Sequence, residues 1–497
     1  MSERVLVLSL LRAGDALVHL PALASLAAPD RELHLLVQAA GKPAAELLAP
    51  FATVHVLPIN YLGGDVAPIA SLLAHLTELA FDRVVNLTLK PFAGELAERI
   101  APGRVEGFIL KDGRPKLTSP WLRLLNDWGT AAAVSVVHYA DIYSHAVGNP
   151  RRDPQLVLSA EDQRWWSETR ANIPAGTPLV LVQLSTSEGK KTYPRALYAE
   201  LIALLGETLR DAQFLLLAAP FEQAEVESFC ATVGSRARPL VCTLAQAACA
   251  MRDARLLISG DTALVHLAAL CRTRVLLLSS GSSAFRELGP VGEGHVVLQA
   301  NFPCGPCRHD TSCIVRSDGQ FPCTEAIPPG YAAEVAAAMI AGSPLPAPTI
   351  SIVRTYLSRF DERGLVDYTP LGERSAADVC AAVVRADLLD RTAGVSATPL
   401  DLRPLSPDGR EALISMAAVI DAFALKGRTG DSSRVTAALI GASDFVVLEM
   451  AQHLAARLRE LPRNPADTSL TEEIARRTKG LLKELDSLRA RINTQLA

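Results

Sequence analysis

The chain has 497 residues, of which 49% are hydrophobic and 21% charged, and its formal net charge is −4 at pH 7. This length allows about three folded domains, and the near balance of charges argues against the broad basic field that nucleic-acid binding requires. Because no apolar run reaches the roughly 20 residues of a membrane-spanning helix, and residues 1–11 lack the features of a signal peptide, we expect a cytoplasmic protein with reduced thiols.

Strands and helices alternate along the first 150 residues. Short aliphatic runs predict strands at Val5–Leu10, Leu33–Val37, Val54–Leu57, Val84–Leu87 and Val134–Val137. Such alternation predicts a parallel sheet with helices on both faces. A polar, proline-containing linker follows at 148–154, so the first domain is predicted to span residues 1–153.

The same alternation restarts after the linker. Strands are predicted at Leu179–Leu184, Phe214–Leu217, Leu256–Ser259, Val275–Leu278 and Val296–Leu298. A proline-rich break at 342–348 ends this second α/β domain, which is predicted to span residues 154–343. Two such domains in sequence predict a cleft between them, which is a common place for ligands.

Residues 344–497 have a different character. Apolar residues at helical spacing over 410–460 and 469–496, with few strand signals, predict a helical extension. One stripe in the last segment is formed by Ile474, Leu481, Leu482, Leu485, Leu488 and Ile492. Because the polar face is not strongly basic, we expect a packing or homo-oligomerisation module rather than a membrane-surface helix.

Gly14 and Asp15 directly follow the first predicted strand. Gly14 permits a tight strand-to-helix turn, and Asp15 would then stand at the sheet edge where α/β proteins bind ligands. A carboxylate there could deprotonate a hydroxyl group. The equally weighted alternative is that Asp15 only caps the next helix.

Residues 185–194, Ser-Thr-Ser-Glu-Gly-Lys-Lys-Thr-Tyr-Pro, follow the strand at Leu179–Leu184. The hydroxyls of Thr186 and Ser187 and the ammonium of Lys191 suit a phosphate group. A solvated loop with two lysines is the alternative. The stretch lacks the Gly-rich P-loop pattern, which argues against an ordinary kinase or ATPase.

Residues 260–270 follow another strand and open a helix rich in Ala and Leu. Backbone N–H groups at a helix start, together with the helix dipole, form an anion site. Asp261 or Thr262 can cap this helix, and His266 lies one turn further on, where its imidazole could reach the same ligand. A core histidine bonded to neighbouring backbone is the alternative for His266.

Four cysteines, Cys304, Cys307, Cys313 and Cys323, have the spacing C-x2-C-x5-C-x9-C. Four thiolates in a reduced compartment predict a metal knuckle over 304–323 that holds Zn or Fe. Disulfides or four unliganded thiols are less favoured at this density. A closed four-thiolate site leaves no coordination position for substrate, so the role is predicted to be structural.

Together these segments resemble glycosyltransferase family 9, the heptosyltransferases of lipopolysaccharide core synthesis, over roughly residues 4–340. Residues 259–268 are similar to the family's Asp-Thr-Gly-x-x-His-Leu-Ala signature, residues 14–23 to its N-terminal motif, and residues 191–194 to its Lys-x-Trp-Pro motif. The resemblance implies the α/β GT-B fold, in which two Rossmann-like domains face each other across a cleft. The first would hold the acceptor and the second the nucleotide-sugar donor.

The resemblance also implies roles for individual residues. Asp15 matches the catalytic base, and Lys191 matches a catalytic lysine that contacts the donor phosphates. The remaining donor-binding positions are Thr186, Ser187, Glu222, Asp261, Thr262, Ala263 and His266. Ala263 stands where the family usually has Gly, and Tyr193 replaces Trp, which leaves the identity of the donor open.

The resemblance implies that a heptose is transferred from ADP-heptose to a hydroxyl of the lipopolysaccharide core, with inversion at the anomeric carbon. It implies no catalytic metal. It also implies a protein that lies peripheral to the inner membrane. Relatives that modify protein serines carry an iron-binding cysteine finger, so a serine or threonine acceptor in a protein is an alternative. An inactive GT-B scaffold that binds partners and a sugar-nucleotide epimerase are further alternatives.

Overall fold

The computed structural model describes residues 2–48, 51–58, 67–127, 136–302, 304–307, 313, 321–348, 351–393 and 404–429, with 490, 492, 494 and 495. The chain divides into two compact units. One comprises Met1–Asp127 and Val137–Leu371, and the other comprises Trp128–Val136 and Gly372–Ala497.

The first unit contains two sheets, and we call the part built on the first sheet lobe 1. Its strands are β1 Glu3–Ser9, β2 Arg31–Gln38, β3 Thr53–Leu57, β4 Arg83–Asn86, β5 Val105–Lys111 and β6 Arg114–Leu117, in the order β3-β2-β1-β4-β5-β6. All neighbours are parallel except β6, which returns antiparallel to β5. The helices of lobe 1 are α1 Ala13–Leu26, α2 Lys42–Ala45, α3 Ala67–Glu78, α4 Pro91–Ile100, α5 Pro120–Asp127 and α6 Tyr139–Ala146.

Lobe 2 is built on an eight-stranded sheet in the order β14-β13-β12-β11-β10-β7-β8-β9. Its strands are β7 Leu179–Gln183, β8 Gln213–Ala218, β9 Ala237–Val241, β10 Leu256–Ser259, β11 Val275–Ser279, β12 Val296–Ala300, β13 Val353–Phe360 and β14 Val366–Pro370. Its helices are α7 Ala160–Ala171, α8 Arg195–Thr208, α9 Gln223–Val233, α10 Leu244–Asp253, α11 Ala263–Leu270, α12 Phe285–Leu288 and α13 Pro329–Ala341. Strands β7 to β12 run parallel to one another, and β13 and β14 add an antiparallel hairpin beside β12.

The strand order places the ligand-binding edge of each sheet. In lobe 1 the chain reverses direction across the sheet between β1 and β4, and in lobe 2 between β7 and β10. Ligands of open parallel sheets bind beyond the carboxyl ends of the strands at such a switch point. The segments that follow β1, β7 and β10 therefore lie where a ligand-binding site is expected.

The predicted fold class, two Rossmann-like α/β sheets, is confirmed, and nine of the ten predicted strands overlap strands of the structure. The tenth, Val134–Val137, is not a strand at Val136 and Val137, and its first two residues lie outside the described part of the chain. Strands β5, β6, β9, β13 and β14 were not predicted. Strand β6 is largely exposed and β9 contains Pro239 at the edge of its sheet, so neither has the apolar pattern of a central strand.

The second unit contains α14 Ala376–Ala393 and α15 Pro407–Thr429. Val379, Val383 and Val384 of α14 and Leu413 and Met416 of α15 are fully buried. These helices agree with the helical character predicted for residues 344–497, although β13 and β14 also fall in that range. Of the predicted stripe, only Ile492 lies within the described residues. Among the helices that the structure describes, none is long and apolar enough to cross a membrane.

A buried polar contact joins α6 of lobe 1 to the hairpin of lobe 2. The carboxylate of Asp141 accepts a hydrogen bond from the Val366 amide at 2.7 Å and pairs with the Arg151 guanidinium at 3.2 Å. That guanidinium also donates to the Gly364 carbonyl at 3.3 Å and lies 4.4 Å from the centre of the Phe360 ring. Asp141 thus accepts hydrogen bonds from two separate segments, through the Val366 amide and the Arg151 guanidinium.

Replacing Asp141 by Ala should lower the free energy of unfolding by about 3 kcal/mol, because the guanidinium loses its buried counter-charge and keeps only the exposed Asp153. Urea denaturation measures the loss. Asp153→Ala is the matched control, since Asp153 pairs with the same guanidinium at 3.1 Å but is 63% exposed; its loss should stay below about 1 kcal/mol. Equal losses in the two variants would contradict the account of this contact.

Candidate functional site

A cavity of about 1030 Å³ lies at the carboxyl ends of the strands, between the two lobes. Its walls come from the segments after β1, β7, β8, β9 and β10. All nine non-cysteine site residues predicted from the sequence line this one cavity: Asp15, Thr186, Ser187, Lys191, Glu222, Asp261, Thr262, Ala263 and His266. The structure therefore brings together residues that are up to 251 positions apart, from Asp15 to His266.

An ion pair lies in the wall of this cavity. The Lys191 ammonium is 3.2 Å from the Asp261 carboxylate, and the two side chains are only 7% and 13% exposed. Lys191 ends the short turn Gly189–Lys191 after β7, whereas Asp261 follows β10. The pair thus joins the two segments for which the sequence predicts anion binding.

Close backbone packing at Gly260 holds these two segments together. A Cβ atom at this position would lie 2.8 Å from the Thr186 methyl group and 3.0 Å from the Lys191 carbonyl oxygen. Only glycine fits here without displacing a neighbour. The Thr186 hydroxyl donates within its own loop to the Glu188 carbonyl at 2.7 Å and also contacts the Thr192 hydroxyl at 2.7 Å. Thr186 therefore stabilises the shape of the loop.

Helix α11 starts at the cavity wall. Thr262 is its N-cap residue, and the Thr262 side chain makes no cap hydrogen bond. These amides and the helix dipole favour an anion at this position. Burial lowers the pKa of His266 to about 4, against the opposite effect of the nearby Asp261 charge. His266 is therefore neutral at pH 7 and serves as a hydrogen-bonding group.

Asp15 lies across the cavity, in the first turn of α1. The N-cap position of α1 is Arg12, which makes no side-chain cap hydrogen bond, so the interpretation of Asp15 as the cap residue does not describe this helix. Gly14 faces Ala263 of α11, and a Cβ atom on Gly14 would meet the Cα and Cβ of Ala263 at 3.6 Å. The starts of α1 and α11 are thus near neighbours across the cleft, at ordinary van der Waals spacing.

The two facing helices share a pentapeptide that the sequence analysis missed. Residues 16–20 and 263–267 both read Ala-Leu-Val-His-Leu. The counterpart of His266 is His19, which is fully buried and bonded to the Ser9 hydroxyl at 2.7 Å. Burial lowers the pKa of His19 to about 3. One histidine of the repeat lines the cavity and the other stabilises the core beneath Asp15.

Further residues complete the far end of the cavity. Glu222 lines it and accepts a hydrogen bond from the Ala219 amide at 2.9 Å. Its neighbour Phe221 also lines the cavity and is 89% exposed. Residues 242–244 contribute from the end of β9. These last residues were not predicted because β9 itself was not, although residues at the end of a parallel strand are expected at this edge.

The four cysteines of the predicted knuckle border one small cavity of about 20 Å³. Lys190, Phe302, Phe321 and Pro322 complete its lining. Burial and the neighbouring thiols raise the pKa of Cys307 to about 11. In the described residues, no three His, Cys, Asp or Glu side chains are placed as ligands of one ion. The structure thus brings the four thiols together without the geometry of a formed metal site.

The cysteine cavity and the large cavity share one structural element. Lys190 lines the former, and Lys191 lines the latter. Gly281 packs directly on this turn, with φ of +57°, and a Cβ atom there would lie 2.0 Å from the Lys190 carbonyl oxygen. The Gly281 carbonyl in turn accepts a hydrogen bond from the Cys307 amide at 2.7 Å. Gly281 therefore connects the cysteine cluster to the turn that presents Lys191.

The chain is similar to one protein family and to several solved structures. Residues 69–315 match the model of glycosyltransferase family 9 (heptosyltransferase). A family 9 glycosyl transferase from Veillonella parvula has a TM-score of 0.56 and 15% identity, over 69% of this chain and 99% of its own. The E. coli ADP-heptose lps heptosyltransferase II has a TM-score of 0.50 and 16% identity, over 68% of this chain and 99% of its own. No curated protein matches the sequence.

Replacing Gly281 by Ala should destabilise the protein by about 3 kcal/mol, because it adds both an unfavourable positive φ and a clash with backbone. Gly294→Ala is the control, since Gly294 has φ of +79° but no atom within 4 Å of an added Cβ. Its loss should be about 1 kcal/mol. Thermal unfolding of both variants measures the difference, and a Gly281→Ala protein as stable as the control would show that this contact is not tight.

Proposed function

The chain belongs to glycosyltransferase family 9 and is a glycosyltransferase, and from this premise we propose that it transfers heptose from ADP-heptose to a hydroxyl of a lipopolysaccharide-core glycan with inversion at the anomeric carbon. One observation supports the proposal above all others. A single cavity holds a carboxylate from lobe 1, Asp15, opposite the ion pair and helix start of lobe 2.

Lobe 2 supplies the groups that a nucleoside diphosphate requires. Lys191 offers a buried positive charge, and the first-turn amides after Thr262, which the Thr262 side chain does not cap, offer hydrogen bonds. Both stabilise the negative charge that develops on the leaving diphosphate, an effect that can contribute several kcal/mol at the transition state. Asp261, released from Lys191 by the phosphates, is then placed to contact the donor sugar.

Lobe 1 supplies the base. Asp15 is half-buried and lines the cavity from the segment after β1, whereas the groups proposed to bind phosphate follow β7 and β10. An acceptor hydroxyl between Asp15 and the anomeric carbon would lose its proton to Asp15 as the new bond forms and the bond to the diphosphate breaks. Attack from the side opposite the leaving group inverts the anomeric centre. We place this reaction at the cytoplasmic face of the inner membrane, where such an acceptor is made.

Asp15→Asn should reduce sugar transfer by about 10²-fold to 10⁴-fold, since it removes the base and keeps the shape of the side chain. ADP affinity, measured by calorimetry, should stay within twofold of wild type.

Lys191→Met should weaken ADP binding itself. Lys42→Met is the control, because Lys42 is half exposed and pairs with Glu46 on the surface.

Mass spectrometry of the products, with a core oligosaccharide and a serine-containing protein offered in parallel, identifies the acceptor class. Near-normal transfer by a folded Asp15→Asn protein would remove Asp15 as the base. Transfer only to the protein would replace the glycan acceptor by a protein acceptor, and failure to bind any nucleotide would favour an inactive scaffold.

We also infer that the four cysteines hold a structural Zn or Fe ion. Their number and thiol chemistry suit either metal, and all four border the same cavity. The pKa of Cys307, which is raised in the bare site, would fall on metal binding because the ion stabilises the thiolate. The bound ion would fix Cys307 and, through Gly281, the turn that carries Lys190.

Elemental analysis of the purified chain should find about one Zn or Fe per molecule. Cys307→Ser should lose the metal and lower the melting temperature. Cys271→Ser is the control, because Cys271 lies outside the cluster and its thiol contacts the Ala248 carbonyl. A metal-free chain that is as stable as the loaded chain would remove the structural role.

A further inference from the structure

A phenylalanine ring lies in the open at the large cavity and has no role in the mechanism described above. Phe221 lines the cavity and is 89% exposed, which makes it the most exposed large hydrophobic side chain in the part of the chain that the structure describes. The next is Ile414, at 52%. Because so little of the Phe221 ring is buried, it adds little to the stability of the folded chain.

The turn that carries Phe221 is ordered by local hydrogen bonds. The short turn Pro220–Glu222 follows β8. The Glu222 amide donates to the Ala219 carbonyl at 2.9 Å, and the Ala219 amide donates to the Glu222 carboxylate at 2.9 Å. Pro220 fixes its own backbone φ at the start of the turn. The backbone that presents the ring is therefore set before any ligand arrives, which lowers the entropy cost of a contact.

The neighbouring wall of the cavity comes from the end of β9. Strands β8 and β9 are parallel neighbours with Ala218 opposite Val241, and the Cys242 amide donates to the Ala218 carbonyl at 3.0 Å. Cys242 and Leu244 line the same cavity as Phe221. The exposed ring and this wall thus follow the ends of two adjacent strands.

The side chains of this wall are uncharged. Burial raises the pKa of the Cys242 thiol to about 12, so the thiol is neutral at pH 7. The Thr243 hydroxyl accepts a hydrogen bond from the Gln246 amide at 3.2 Å and is thereby engaged in capping α10. Leu244 and Ala247 are aliphatic. A flat, neutral, aromatic group of a ligand suits these surroundings better than a phosphate does.

The order of the strands matches the order of the parts of a nucleotide. The groups proposed to bind phosphate follow β10 and β7, Glu222 follows β8, and the uncharged wall follows β9. These strands are neighbours in the order β10-β7-β8-β9, with about 4.8 Å from each to the next. A nucleoside diphosphate whose phosphates lie beyond β10 and β7 would therefore extend its base toward the ends of β8 and β9.

We propose that Phe221 is a donor-binding residue whose ring stacks on the base of the donor nucleotide. The proposal rests on the nucleotide-sugar donor proposed above and adds the group that holds the base. Every nucleobase offers an aromatic face for stacking, whatever hydrogen-bonding groups lie on its edge. The contribution of Phe221 to binding should therefore be similar for ADP and for GDP.

Phe221→Ala should weaken the binding of ADP and of GDP by about 10-fold or more, as expected for the loss of one stacking contact. It should leave the affinity for inorganic pyrophosphate unchanged, because pyrophosphate has no base. Calorimetry of the full chain with these three probes measures the change. Phe221→Trp keeps an aromatic face and should bind ADP at least as tightly as wild type, whereas Phe221→Leu should bind it almost as weakly as Phe221→Ala.

The control is Phe51→Ala. Phe51 is 47% exposed and is not among the described residues that line the cavity. This variant removes an exposed phenylalanine of lobe 1 and should keep the wild-type affinity for all three probes.

Two further measurements separate stacking from a general loss of structure. Phe221→Ala should raise KM for ADP-heptose and leave kcat unchanged, because the base makes the same contact in the ground state and in the transition state. In Phe221→Trp, ADP should quench the fluorescence of the added indole, measured as the difference from wild type, and pyrophosphate should not.

A Phe221→Ala protein that binds ADP as tightly as wild type, or one that loses pyrophosphate binding to the same degree, would overturn the inference and leave the transferase function in place. A wild-type chain that binds pyrophosphate but neither nucleotide would overturn the proposed donor and this inference with it.

Discussion

The ion pair between Lys191 and Asp261 is the interaction on which the arrangement of the site depends. It joins the segments after β7 and β10 at 3.2 Å, inside a wall where neither side chain is more than 13% exposed. Two charges in such surroundings lose much of their hydration, and each needs the other as compensation. A diphosphate that enters the cavity offers Lys191 a stronger partner. Under the proposed function, the pair keeps Lys191 in the cavity wall at the position where the donor diphosphate binds.

The turn Gly189–Lys191, which carries Lys191, is also constrained by close backbone packing at two glycines. Gly260 permits the close approach of Thr186 and the Lys191 carbonyl, and Gly281 permits that of Lys190. Because the Gly281 carbonyl also accepts a hydrogen bond from the Cys307 amide, the cysteine cluster and the turn that carries Lys191 are two ends of one packed unit. Under the proposed function, this continuity would give the cysteine cluster a structural role: it would limit the positions that the turn can adopt, so that less reorganisation is needed when the diphosphate binds.

Most of the architecture of the two lobes and much of the candidate site could be predicted from the sequence, because the central strands have a clear sequence pattern. Central parallel strands such as β1, β7 and β10 are continuous apolar runs, and the segments after them mark the binding edge. That rule located Asp15, Lys191 and Asp261. The rule fails where a strand is short or exposed. The cavity-lining residues that follow β9 were therefore not predicted. Contacts such as that of Asp141 with Val366, 225 positions apart, have no periodic signal, because they depend on how the lobes meet.

The most direct test of the central claim is a crystal structure of the protein with bound ADP. We expect the diphosphate to lie between the Lys191 ammonium and the first-turn amides of α11. The distance from the Lys191 ammonium to the Asp261 carboxylate should be longer than in the pair without ADP, because the ammonium then pairs with the phosphates. The adenosine should extend toward Phe221 and Glu222. An ADP molecule bound elsewhere, or one that leaves the 3.2 Å pair of Lys191 and Asp261 intact, would contradict it.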